Sequence, residues 1–379
     1  MTTDSSSLEP EKGTRNGRVG IGGWLKRTWL SIRIPVVAVL LSLLIGAIVL
    51  IIAGANPIEA YLALLKGAFG SQVALRRTLE KATPLVFTGL AVAFAFKGGL
   101  FNIGAQGQLL LGAIVAAAIG FGISGLPFII HMPLALAGGA LAGAMYGAIP
   151  GLLKAWTGAH EVITTIMLNF IAINITDYLA DGTWKDTSAS NIISRTPKIL
   201  PSAEIPSIAF VPIGFLVGIV MAFVTWYVLY KTTLGYEIRT VGLSSHAAKY
   251  AGIRVAATIV LTMTLSGVLA GMGGAIETLG IVGRFQPGFN LNLGFDGITV
   301  ALLARTNPFG VIPAAILLGA LRAGAGRMQL YAGVPSEITD IIAALMLFFV
   351  SADMIVRWII RAREPAEEEK VTLSTWGQS

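Results

Sequence analysis

Residues 34–53, IPVVAVLLSLLIGAIVLIIA, run without a single charged side chain. A helix of about 20 such residues spans the roughly 30 Å hydrocarbon core of a bilayer. Ala53-Gly54-Ala55 mimics a signal-peptidase site, but a cleaved apolar region is only about 7–15 residues long and follows a short basic segment. Here the apolar run is longer, and 33 polar residues carrying Lys12, Arg15, Arg18, Lys26, Arg27 and Arg33 precede it. It reads as an uncleaved first span. Nine more apolar runs follow, at residues 84–96, 107–124, 132–152, 161–179, 210–230, 256–277, 295–304, 309–325 and 337–358. The expected fold is an all-α polytopic transmembrane bundle of about ten spans.

Composition agrees. Of 379 residues, 55% are hydrophobic and 12% charged, about half the charge of an ordinary soluble domain. A large soluble enzyme, a disordered chain and a nucleic-acid binder are all excluded on that ground. The net charge of +7 fits a membrane protein that gathers Lys and Arg on its cytoplasmic loops. With the N-terminus inside, 17 of the 27 Lys and Arg residues fall on cytoplasmic segments. Both termini are therefore expected in the cytoplasm, with residues 180–209 facing outward. Trp24, Trp29, Trp156, Trp184, Trp226 and Trp358 lie near span ends, where amphipathic rings anchor in the headgroup zone. Zero cysteines leave no disulfide or thiolate metal site. His131, His160 and His246 are far apart, His131 and His246 read as loop residues, and no metal-ligand set emerges.

An internal repeat organises the chain. Phe101-Asn102-Ile103-Gly104-Ala105-Gln106-Gly107 recurs as Leu291-Asn292-Leu293-Gly294-Phe295-Asp296-Gly297, 190 residues later. Thr88-Gly89-Leu90 echoes in Ser266-Gly267-Val268, and Glu161-Val162-Ile163-Thr164 in Glu337-Ile338-Thr339. Three matches in one order suggest two five-span halves, about 34–209 and 210–360, and an odd number of spans inserts the second half upside down. Inverted repeats place a solute path between the halves, beside broken helices. Gly104, Gly107, Gly294 and Gly297 are read as helix-break glycines that allow positive φ or close approach. Asn102, Gln106, Gln108, Asn169, Asn292 and Asp296 are candidates for the translocation path. For Asn102, Gln106 and Gln108, the alternative is that they satisfy backbone groups freed at the break. For Asn169, as for Asn174, it is interhelix hydrogen bonding.

Gly139, Gly143, Gly147 and Gly151 recur every fourth residue, a stripe for close helix packing. Glu161, Asp177, Glu277, Asp296, Asp340 and Asp353 lie in or beside apolar runs, Asp296 within the repeat motif. No G-x-x-x-x-G-K-[ST] phosphate loop exists, and Leu265-Ser266-Gly267, within an apolar span, is a chance echo of an ATPase signature. The internal loop 231–254 is long and polar. Ser244 and Ser245 are placed to cap a short helix through His246–Ala251 that Gly252 stops.

At these residues the sequence resembles a known family. Gly99-Leu100-Phe101-Asn102-Ile103-Gly104-Ala105-Gln106-Gly107-Gln108 looks like the motif of binding-protein-dependent ABC permeases in the simple-sugar and nucleoside branch. Gly235-Tyr236-Glu237-Ile238-Arg239-Thr240-Val241-Gly242 with Ala247, Ala248, Ala251, Gly252 and Ile253 resembles their coupling loop. His160-Glu161-Val162-Ile163-Thr164-Thr165-Ile166-Met167-Leu168-Asn169 is most similar to nucleoside-type members. Gln106 replaces a common Glu, which argues against a charge-based role there, and Ser244-Ser245 replaces a frequent Asn-Pro. The resemblance covers residues 34–360 and leaves out tails 1–33 and 361–379.

The resemblance implies a membrane subunit of an ATP-driven nucleoside importer in a bacterial inner membrane. A second, related permease chain, a cytoplasmic ABC ATPase carrying ATP and Mg, and an external, often lipid-anchored, binding protein for a small polar solute would complete it. No cofactor is implied in this chain. A ribose- or galactose-type sugar importer is the alternative within transport. An ion-coupled secondary transporter would need a clear coupling-ion site, and an intramembrane enzyme a mid-span acid/base constellation; the sequence offers neither.

Overall fold

The computed structural model describes residues 21–187, 194–288 and 292–351, with side chains from residue 35 onward. The greater part of the N-terminal tail, Ser190, Leu291, Asp353 and the C-terminal tail lie outside the described residues. In chain order the elements are α1 (Ile21–Ile52), α2 (Pro57–Phe69), α3 (Gln72–Lys97), α4 (Ala105–Gly122), α5 (Phe128–Thr157) and α6 (Glu161–Asp181). A two-residue hairpin follows, β1 (Ser207–Ile208) against β2 (Val211–Pro212). Then come α7 (Ile213–Lys231), α8 (Thr233–Leu243), α9 (Ser245–Tyr250) and α10 (Val255–Glu277), which runs into a π-helical turn, Thr278–Val282. The last elements are α11 (Leu293–Leu303), α12 (Pro308–Ala332) and α13 (Glu337–Ser351).

Among the described residues, the greater part of every expected apolar run falls on a helix. Among the described residues, eight helices are long and apolar enough to cross a membrane. The other two do not reach that length: α11 has 11 residues, or about 16 Å of rise, and the described part of α13 has 15. Helix α2, polar at Glu59 and Lys66, and the first turns of α3 were not legible as apolar runs. In α3 the charges are carried on the surface by an i,i+4 ion pair, Arg76 Nε to Glu80 Oε1 at 2.7 Å.

Local chemistry explains the boundaries. Asn56, Ser71 and Asn307 accept from the backbone N–H of Ile58, Ala74 and Phe309, and Pro57 and Pro308 open α2 and α12. Inside the spans, hydroxyls that would be unsatisfied in hydrocarbon donate to carbonyls one turn back: Ser42 to Ala38 and Thr83 to Leu79, both at 2.7 Å, and Thr262 to Thr258 at 2.6 Å.

Helix α3 is the centre of the bundle, with Ala82 through Phe96 all buried. It packs against α11 and α12, while α10 packs against α4 and α5, so each half of the chain encloses a helix of the other. The α5 glycine stripe is one of the tightest of these contacts. A Cβ on Gly143 would fall 2.6 Å from Gly271 Cα, and one on Gly147 2.6 Å from the Met263 carbonyl oxygen. Close approach is what the small residues provide.

At one end of the bundle residues 194–206 are strapped over the helix ends. Leu200 N–H donates to Gly120 O and Ile205 N–H to Leu279 O, at 2.9 and 2.8 Å. His131, expected in a loop, instead sits fully buried in the first turn of α5. Its Nε2 lies 3.0 Å from Ile119 O and its Nδ1 2.7 Å from Ser202 Oγ. The carbonyl can only accept, so Nε2 carries the proton and Nδ1 accepts from Ser202.

Candidate functional site: a polar knot and a short helix pair

The first motif copy forms a break rather than a helix. Residues 98–104 cross from α3 to α4, and Gly99 adopts φ +70. The four glycines read as break points do not have positive φ. Gly104 has φ −71 at the start of α4, and Gly107, Gly294 and Gly297 lie inside α4 or α11. Their requirement is space. A Cβ on Gly107 would meet Ala172 Cβ at 3.0 Å, one on Gly297 would meet Thr88 Cβ at 2.7 Å, and one on Gly104 would meet Thr165 Cβ at 3.1 Å.

The polar side chains of the motif are turned inward and satisfied. Asn102, fully buried, donates from Nδ2 to Gln108 Oε1 at 2.9 Å and to Ser266 Oγ at 2.8 Å, and Gln108 Nε2 donates back to Asn102 Oδ1 at 3.2 Å. Ser266 passes its own proton to Ala91 O at 2.6 Å. Asn169 bridges the break: its Oδ1 accepts from Gly107 N–H at 2.8 Å and its Nδ2 donates to Ile103 O at 3.0 Å. These bonds supply partners that the interrupted helix cannot. In this conformation Asn102, Gln106, Gln108 and Asn169 join helices and are closed to a passing solute.

The two motif copies meet. Gln106 Oε1 accepts from Gly294 N–H at 2.7 Å, so the N-terminal ends of α4 and α11 abut. The environments nevertheless differ between the copies. Asn102 is buried, whereas Asn292, the residue preceding α11, is exposed. Where the first copy has Gln106, the second has Asp296, which pairs with Arg322 of α12. The match of Arg322 with Asp296, 26 residues earlier, has no local signal in the sequence.

At the end of the bundle that carries Gly99, α8 and α9 form a helix pair. Thr232 Oγ1 accepts from Gly235 N–H at 3.1 Å and Ser244 Oγ from Ala247 N–H at 3.2 Å, capping each helix. Gly252, at φ +79, ends α9 as the sequence suggested. Gly235 and Gly242 are packing residues. A Cβ on Gly235 would fall 2.6 Å from Leu229 C, and one on Gly242 2.8 Å from Gly99 N. Arg239 donates from Nε to Leu229 O at 3.0 Å and stacks over Tyr230, which ties α8 to α7. Glu237 is partly exposed, and Ala247, Ala251 and Gly252 are exposed, but Ala248 is fully buried within the chain itself. Tyr250, which composition alone did not single out, is 95% exposed at the end of α9. On the same side Lys154 Nζ lies 2.9 Å from Glu161 Oε2, closing the α5–α6 corner.

The family described as branched-chain amino acid transport system / permease component matches residues 74–351. The chain belongs to this permease family. It is a multi-pass membrane transport subunit, not an enzyme. This permease is 40% identical over 341 residues to the guanosine ABC transporter permease protein NupP of Bacillus subtilis, covering 86% of this chain and 95% of that one. It is 34% identical to the nucleoside ABC transporter permease protein NupB of Lactococcus lactis, covering 90% and 96%. A glucose ABC transporter permease protein of Haloferax volcanii is also 34% identical, covering 85% and 87%.

Proposed function

We propose that this permease is the membrane-spanning subunit of an ATP-driven nucleoside importer in a bacterial cell membrane, with both termini in the cytoplasm. The observation that carries the reading is the 40% identity to a guanosine permease along nearly its whole length. A cytoplasmic ABC ATPase, holding ATP and Mg, supplies energy. A related second permease chain and a lipid-anchored external binding protein complete the assembly. The chain has no phosphate loop of its own, so work enters by contact.

The entry point is the α8–α9 pair. The supporting geometry is this: α8 rests on the Gly98–Gly99 break through Gly242, three residues on Asn102 bonds to Gln108 of α4 and Ser266 of α10, and Gln106, on the same α4, accepts from Gly294 of α11. A push on α8 therefore bears directly on the turn that joins α3 to α4. Glucose is the second reading, favoured by the 34% identity to the Haloferax volcanii permease. The purified four-component transporter decides between them. Loaded binding protein should raise ATPase turnover with guanosine or adenosine present and not with glucose or ribose; the reverse pattern would overturn the nucleoside reading.

A further inference from the structure

We infer that the open cavity at the C-terminal end of α6 is a receiving site for the sugar hydroxyls of the solute, a neutral molecule bearing a vicinal diol. The inference rests on the nucleoside reading and adds a site to it. Helix α6 is long and apolar enough to cross a membrane, yet only 22% of that stretch is buried. Along its uncovered stripe Ile163, Met167 and Phe170 give way, at the spacing of one helix face, to Asn174, Asp177, Tyr178 and Asp181. Carboxylates and an amide on one side of a span are costly against lipid and belong beside water or protein. The polar end of this stripe therefore lies where water reaches it.

The cavity has a volume of about 470 Å³ and is lined by Asn174, Asp177, Tyr178, Asp181, Ser194 and Pro287. That volume lies within the range of small-molecule sites. Its walls are prearranged. Asp181 Oδ1 accepts from Lys185 Nζ at 3.0 Å and from Ser194 Oγ. Asn174 donates one Nδ2 hydrogen to Phe170 O at 2.7 Å and keeps its Oδ1 as an acceptor and its second N–H as a donor. The lining is thus rich in acceptors, with Lys185 offsetting one carboxylate. Hydroxyl donors satisfy such a surface, and one carboxylate takes both hydroxyls of a vicinal diol. Tyr178, 73% exposed, offers a ring face on which a flat base can stack. The buried knot around Asn102 offers a solute none of this.

The test uses proteoliposomes holding the whole transporter with its own binding protein. Uptake of guanosine is compared with uptake of 2′,3′-dideoxyguanosine, for wild type and for Asp177→Asn. The binding protein is common to both, so a change in the ratio belongs to the permease. The ratio should fall by about tenfold in Asp177→Asn, the worth of a charge-assisted hydrogen bond. An unchanged ratio with active uptake overturns the site and leaves the nucleoside reading intact, whereas a wild type that takes up no nucleoside overturns both. If Asp177→Asn fails to assemble, Tyr178→Leu decides, because that exposed ring has little packing to lose. It should slow guanosine uptake several-fold, and unaltered uptake overturns the site.

Discussion

Replacing Gly294 with alanine probes the place where the two motif copies touch. The added Cβ would fall on the backbone N and Cα of Gln106 and 2.7 Å from its Cβ. Backbone cannot rotate away, so α4 and α11 must move apart, and the Gly294 N–H to Gln106 Oε1 bond of 2.7 Å is stretched or lost. Overpacking and a weakened buried hydrogen bond together cost about 2–5 kcal/mol. Gly107→Ala provides the graded comparison, since its Cβ would meet only side chains, at 3.0 Å or more; about 1 kcal/mol is expected there. Gly326→Ala is the control, with nothing within 4 Å of its Cβ, and should be neutral or slightly stabilising. The assay is the thermal unfolding midpoint in detergent, paired with solute uptake. Gly294→Ala should fall by about 5–10 °C and lose uptake, with Gly107→Ala between it and wild type. If Gly294→Ala unfolds no earlier than Gly107→Ala, the abutment of α4 and α11 does not stabilise the bundle.

The α8–α9 pair separates docking from packing: Ala251→Trp, at an exposed position, should abolish ATPase co-purification and uptake with insertion intact, whereas Ala248→Trp, at a fully buried one, should lower the unfolding midpoint itself. Equal midpoints for the two variants would refute that division. Arg239→Ala should cost about 1–2 kcal/mol through loss of its bond to Leu229 O, read as earlier unfolding with ATPase affinity largely retained. Lys154→Met should cost about 3 kcal/mol because it leaves the Glu161 carboxylate, 4% exposed, without its partner. Adding Glu161→Gln should restore most of that loss, and a double variant no more stable than Lys154→Met would contradict the pairing.

What could be read from the sequence follows from the range of each signal. Apolar runs and caps are local, so eight spanning helices, the α5 glycine stripe and the short helix between Ser244 and Gly252 were legible. Helix α2 was not, because its apolar run, residues 60–65 between Glu59 and Lys66, is too short to announce a span. The polar motif was legible as a break but not as a closed knot. Whether Asn102 lines a path depends on Ser266, 164 residues away, and whether Gln106 does depends on Gly294, 188 residues away. The glycines illustrate the same limit: sequence marks a position that tolerates no side chain, and only the neighbour across the contact tells whether φ or space is the cause. The cavity at α6 escaped notice for a related reason. Asn174, Asp177 and Asp181 look like ordinary span-end polar residues until the uncovered face of the helix is seen.

The central claim is that nucleosides cross through this permease at the expense of ATP hydrolysed on a partner. Proteoliposomes containing the permease, its ATPase and its second permease, with guanosine-loaded binding protein outside and ATP in the lumen-equivalent compartment of the ATPase, measure it directly. The account predicts accumulation of labelled guanosine that requires ATP, is indifferent to proton and sodium gradients, and is lost in Ala251→Trp. Accumulation driven by an ion gradient without ATP would contradict it.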